Sequence, residues 1–289
     1  MSFSSELKES LSKTNNLSDK NAVKYETIGY LISNNTTYNK KKIKYSTENE
    51  YNINRFSKLI SNLGFINFDI DLNGKIYKIT LPRIENINEI QYIDDKIEIK
   101  EESIINEIGE KAIIRGAFLG SGSLNNPQNK YHLEILFSTQ NNLKYISKLL
   151  EKYSITTKKL IRKNGYSLYI KDGEEISKFL ALIGANLAVL KFEEIRVLRD
   201  IKNNVNRKVN CETANLSKTI SASVKQIETI KRIQKEGKFE NLSDNLKEIA
   251  ILRLENPDAS LIELGKMLKN PIGKSGVNHR LKQLELFFR

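Results

Sequence analysis

Asn256–Leu284 reads NPDASLIELGKMLKNPIGKSGVNHRLKQL, and its punctuation decides the architecture of the C-terminal part. Pro257 ends the preceding helix, because the residue before a proline is pushed out of the helical region. Ser260 and Glu263 have the S-x-x-E spacing of a capping box and open a helix over SLIELGKML. NPIG at 270–273 breaks that helix with a proline and a glycine. Ser275 is an expected N-cap for the last helix, where Val277, Leu281, Leu284 and Phe288 recur at helical spacing and are expected to face a core. An earlier helix is predicted from Asp244 to Glu255, on Leu246, Ile249, Ala250, Leu252 and Arg253. Helix, tight turn and helix with basic and amide side chains at the second helix's start is the layout of a helix-turn-helix reading the major groove. Lys274, Ser275, Asn278, His279 and Lys282 are left outside the core face, with Arg280 at its flank. Asn pairs with adenine edges, and Lys and Arg contact guanine or phosphate. The alternative is a helix module that docks on protein.

Upstream, Cys211–Glu228 reads CETANLSKTISASVKQIE within a helical pattern from Glu212 to about Lys235. Leu216, Ile220, Val224, Ile227, Ile230 and Ile233 make its apolar face. Before it, FEEIRVLRDIKNNVNR at 192–207 alternates helically and then dissolves into NNVNRKVN. This asparagine-rich stretch, 201–212, is the expected linker between a domain at 1–200 and a DNA-binding domain at 213–289.

The N-terminal part carries a diverged repeat. YSTEN at Tyr45–Asn49 matches FSTQN at Phe137–Asn141, and RFSKLI at Arg55–Ile60 matches YISKLL at Tyr145–Leu150. Upstream of each lies a small-residue helix, TIGYLIS from Thr27 and IRGAFLGSGS from Ile114. Downstream of each, an Asn-Gly dipeptide at Asn73 or Asn164 starts an apolar alternation, a hairpin signal. Each copy, 20–87 and 105–200, therefore reads helix, hairpin, helix, hairpin, helix. Gly29 with Ser33, and Gly116 with Gly120, stand one helical turn apart, so two helices that lack side chains are expected to cross at a pseudo-twofold axis.

Composition narrows the function. At 289 residues the chain has room for two cores. A formal net charge of +12 favours polyanions, because neutralised phosphates release counterions, although a lysine-rich solvated surface gives the same balance. A lone Cys211 excludes an internal disulfide and fits a reducing cytoplasm as a small, partly buried side chain. His132 and His279 are not spaced with other ligands, so no metal or other cofactor is expected. The first residues are polar, and no apolar run reaches the ~18 residues of a membrane span.

The two C-terminal blocks resemble the corresponding part of WhiA, a family of sporulation and cell-division transcription regulators, and IRGAFLGSGSLNNPQNKYHL at Ile114–Leu133 resembles its N-terminal signature. The resemblance implies an α+β fold: a duplicated LAGLIDADG-like αββαββα domain with pseudo-twofold symmetry, followed by an all-α helix-turn-helix domain. Homing endonucleases of that fold hold a divalent metal on an acid before the final glycine of the namesake helix. Here that position is Ser121, and the first copy offers Asn34, so nuclease chemistry is expected to be lost. Lys40, Lys41 and Lys42, with Lys158, Lys159, Arg162 and Lys163, are candidates for accessory DNA contacts on the sheets, or else a solvated hairpin face. The expected function is sequence-specific regulation of cell-division or sporulation genes, with double-stranded DNA as partner. Another transcription regulator or RNA polymerase is the further expected partner, at the nucleoid in the cytoplasm and not at a membrane. The alternatives are an active LAGLIDADG endonuclease and a non-specific chromosome- or division-associated DNA-binding protein.

Overall fold

Element order follows the repeat. In the computed structural model, which describes residues 2–101 and 105–287, α1 (Phe3–Ser12) precedes the first copy. That copy comprises α2 (Lys20–Leu31), β1 (Thr36–Tyr38), β2 (Lys42–Thr47), α3 (Glu50–Asn62), β3 (Asp69–Asn73) and β4 (Ile76–Pro82). A hairpin of β5 (Ile90–Ile93) and β6 (Lys96–Ile99) intervenes. The second copy follows as α4 (Glu107–Ser121), β7 (Gly122–Leu124), β8 (Leu133–Phe137), α5 (Gln140–Lys152), β9 (Lys158–Arg162), β10 (Gly165–Ile170) and α6 (Gly173–Leu182). Both copies fold into four-stranded antiparallel sheets of the same order, β1-β2-β4-β3 and β7-β8-β10-β9. Asp19, Asn49, Asn106, Thr139 and Asp172 cap α2 to α6 through their side chains, so each helix begins where a short polar residue satisfies its free amides.

The first copy does not end in the expected helix. Residues 90–99 alternate with period two, and Asp94, at φ 52°, makes the turn that pairs Ile90 with Ile99. This hairpin packs on the second copy, where the Asn142 Oδ1 accepts from the Ile99 amide at 3.0 Å.

The central crossing is where the small residues predict it. A Cβ on Gly29 would lie 2.5 Å from the Ala117 amide nitrogen, one on Gly116 would fall on the Glu26 carbonyl, and one on Gly120 would lie 2.5 Å from the Ser33 hydroxyl. α2 and α4 thus touch backbone to backbone. Fully buried Glu26 sits at this contact and accepts from Arg55 Nε at 2.8 Å and Arg115 Nε at 2.9 Å. Burial pushes the Glu26 carboxyl up, but the Arg55 hydrogen bond and the charges of Arg115 and Arg55 outweigh it and hold it below its ordinary value.

The second compact unit spans 201–289 and the first 1–200. The expected linker is not irregular: residues 201–212 lie inside α7 (Asn186–Lys235). Asparagine costs a helix less than about 1 kcal/mol and does not break it. Between Gly184 and Gly237, both at positive φ, the sequence has no glycine or proline to stop the helix. Of the apolar face expected on this helix, Ile230 and Ile233 are buried, whereas Leu216, Ile220 and Val224 are about half exposed or more. Cys211 is also exposed rather than partly buried.

The rest of this unit is α8 (Asp244–Glu255), α9 (Leu261–Met267) and α10 (Lys274–Phe287). Ser260 and Glu263 form the full reciprocal capping box. A core of Ile230, Ile233, Ile249, Leu264, Val277, Leu281 and Leu284 joins the helices. Gly265 allows α9 to meet the backbone of the following turn, since a Cβ there would fall on the Ile272 carbonyl. Ser275 is inside α10 rather than capping it, because Val277 N–H already bonds the Gly273 carbonyl at 3.2 Å. Phe288 lies outside the described residues.

Candidate nucleic-acid interface

With Val277, Leu281 and Leu284 turned inward, the helical period dictates what α10 presents. Lys274, Ser275, His279 and Lys282 are exposed, and Asn278 and Arg280 are half-buried. Lys274, Asn278 and Lys282 follow one another at single-turn spacing on one row, Ser275 and His279 on the adjacent row, and Arg280 lies off both. The helix's one described acid, Glu285, faces away toward Lys225, at 3.2 Å. The start of α10 is therefore a cationic, amide-bearing surface.

The sheets divide the other basic candidates by strand parity. In the first sheet Ile43, Tyr45, Ile79 and Leu81 are buried under the helices, so the opposite parity forms the open face. It carries Lys42, Lys44 and Lys78, with Lys44 opposite Thr80 and Ser46 opposite Lys78. Lys40, at φ 68°, and Lys41 lie in the turn before β2. In the second sheet Ile135 and Leu168 point inward, which leaves Lys158 and Arg162 on the open face and Lys159 on the other, 3.9 Å from Glu151. Lys163 is in the turn between β9 and β10. Arg162 and Ser167 both donate to Glu134, so Arg162 is already engaged. Burial raises the Glu134 carboxyl, and the Ser167 and Arg162 hydrogen bonds overcome that and lower it. Sequence reading missed Lys78. The alternation in KIYKITL, where Lys78 and Thr80 interleave with Ile79 and Leu81, was the available signal.

At the ends of the central helices, where the nuclease acids would stand, Asn34 N–H donates to the Leu136 carbonyl at 3.0 Å and Ser121 Oγ donates to the same oxygen at 2.5 Å. These groups close the sheet onto the helix ends, and neither residue presents a carboxylate. A cleft of about 670 Å³ nearby is lined by Ser4, Lys8, Asn35, Thr47, Glu48 and Asn49, with Glu48 its single acid. Among the described residues no group of three or more His, Cys, Asp or Glu side chains gathers as metal ligands. Among them, too, no helix is long and apolar enough to cross a membrane.

The model of the WhiA C-terminal HTH domain matches residues 205–287, and that of the WhiA LAGLIDADG-like domain matches residues 110–202. A protein named "Probable cell division protein WhiA" from Clostridium tetani is 38% identical over 306 residues, covering 99% of this chain and 96% of its own length. Among solved structures, full-length DUF199/WhiA from Thermatoga maritima superposes over 100% of this chain and 98% of that one, with a TM-score of 0.62 at 27% identity. The N-terminal LAGLIDADG domain of DUF199/WhiA covers 62% of this chain and 88% of its own, with a TM-score of 0.53 at 24% identity, a likeness of fold.

Proposed function

The chain belongs to the WhiA family, and from that premise we propose that it is a sequence-specific DNA-binding regulator of transcription, acting on cell-division or sporulation genes. The observation that carries this reading is the surface of α10. A helix held by three inward apolar residues presents Lys274, Asn278 and His279 in its first two turns, the end that enters a major groove in helix-turn-helix proteins, with Lys282 one turn further along the same row. In this reading Asn278 reads a base edge, and Lys274 and Arg280 hold phosphates. Lys42, Lys44, Lys78 and Lys158 on the open sheet faces add phosphate contacts that position the chain without specifying sequence. Duplex DNA is the partner, with RNA polymerase or another regulator as the further one, at the nucleoid in the cytoplasm.

Nuclease activity is not part of the proposal. Metal-assisted phosphodiester hydrolysis needs carboxylates at the helix ends to place a divalent ion against the scissile phosphate, and Asn34 and Ser121 stand there. Incubation with supercoiled DNA and magnesium or manganese is expected to leave the DNA intact; chelator-sensitive cleavage would contradict this.

Binding itself is tested by titrating the full chain into duplex DNA over a range of salt. Lys274→Ala with Arg280→Ala is expected to weaken binding by about 1–3 kcal/mol and to flatten the salt slope by about 0.9 for each phosphate that is no longer neutralised. Unchanged affinity and slope in a folded double variant overturns the assignment.

A further inference from the structure

Arg253, on α8, is 2% exposed, and among the described residues no carboxylate pairs with it. Its Nη1 is held by the Ala259 carbonyl at 2.7 Å and more loosely by the carbonyls of Pro257 and Asn256 and the Ser223 hydroxyl. Its buried Nε has no hydrogen-bond partner among the described residues. On α7, buried Gln226 has an Oε1 that is likewise unpartnered. An orphaned buried polar atom destabilises the fold, and a buried cation without a counter-charge does so more strongly. Neither atom is open to solvent, so the uncompensated charge of Arg253 acts through the wall around it rather than by a contact at Nε.

Both residues line a single cavity of about 290 Å³ inside the second unit. Its wall also carries Lys218 from α7, Ser260 from the start of α9, and Lys274 and Asn278 from α10. No acid is among the lining residues, so Lys218, Arg253 and Lys274 leave the cavity cationic. Leu261 and Ile262 supply an apolar side. The volume is near the lower end for small-molecule sites, about 300 Å³. An occupant must bring negative charge for Lys218, Arg253 and Lys274, and acceptors for the Ser260 hydroxyl and the Asn278 amide that share the wall.

We infer that this cavity is a phosphate-binding site, taking the phosphate of a small phosphomonoester or a backbone phosphate of DNA. A phosphomonoester dianion, or hydrogen phosphate, brings about two negative charges and several acceptor oxygens to these groups. A DNA phosphodiester brings a single charge and two free acceptor oxygens to the same groups. Lys274 and Asn278 belong both to this wall and to the proposed reading surface, so occupancy bears on the start of α10; that consequence rests on the DNA-binding reading, whereas the phosphate site does not.

The test follows the Arg253 Nε–H and Gln226 side-chain resonances of the full chain by NMR during titration with inorganic phosphate, ionic strength being held with chloride. A saturable shift of both in the millimolar range is expected, and Lys218→Glu, an exposed position, is expected to weaken it about tenfold or more while the remaining spectrum is unchanged. A duplex titrated in phosphate-free buffer distinguishes the sources. If the duplex moves the Arg253 resonance and phosphate competes with it, the occupant is a backbone phosphate; if duplex and phosphate bind together, it is a free one. Resonances unmoved by phosphate and by duplex, or a phosphate shift of equal strength in Lys218→Glu, overturn the proposal. Failure of the chain to bind DNA at all leaves the phosphate titration as an independent reading.

Discussion

Asn52 and Asn142 make the same bond across the pseudo-twofold axis. Each is the third residue of its helix, α3 or α5, and each sends its side-chain amide to the end of the other copy's central helix: Asn52 Nδ2 to the Leu119 carbonyl at 2.6 Å, and Asn142 Nδ2 to the Ile32 carbonyl at 3.3 Å. Ile32 and Leu119 are themselves equivalent, each three residues after a crossing glycine. The reciprocal pair satisfies carbonyls at helix ends that have no partner of their own. Asn142 also joins Ile97 and Ile99 of the inserted hairpin, and Asn52 joins Tyr45 and Tyr30. Asn142→Leu orphans three backbone groups at once. It is expected to lower the urea midpoint of the first unit by an amount equal to about 1–3 kcal/mol per orphaned group, with the slope unchanged. An unaltered midpoint would mean that this pair does not hold the copies together.

Glu26 predicts a pH dependence. Its folded-state pKa is depressed, so the stability it contributes is present above the ordinary value of 4.5 and is lost as pH falls through the lower, folded value. Glu26→Gln strands Arg55 and Arg115 in the core, at a cost of about 3–5 kcal/mol at neutral pH. Denaturation of wild type and variant at neutral and acid pH is expected to show that gap narrowing as pH drops below 4.5. A constant gap would mean that Glu26 does not carry the linkage.

Gly116→Ala drives a methyl into the Glu26 backbone, where overpacking costs about 1–3 kcal/mol or more. Gly273→Ala meets nothing within 4 Å and is expected to be close to neutral. Thermal melting of both variants tests this. Equal melting temperatures would deny that α2 and α4 cross backbone to backbone.

Much of this was legible in the chain because local chemistry decided it. The capping box at Ser260 and Glu263, the end of α8 before Pro257, and the crossing glycines each act through a few neighbouring residues. What failed was decided elsewhere. The asparagines at 203, 204, 206 and 210 lower helix propensity only slightly, so α7 continues through them. Residues 90–99 alternate as strands do, but their docking on Asn142 and the flank of α5 in the second copy is a contact that the alternation does not reveal. The cavity around Arg253 draws its wall from four helices separated in sequence, and within α8 Arg253 is only one of the residues on which the helix is predicted.

Whether α10 reads bases is decided by comparing Asn278→Ala with wild type on two duplexes, a site recovered by genome-wide footprinting and a scrambled duplex of equal length. Wild type is expected to prefer the site by about a thousandfold or more. Asn278→Ala is expected to lose about 1–3 kcal/mol on the site and almost nothing on the scrambled duplex. Equal losses on both duplexes, or a wild-type preference near unity, would contradict the account.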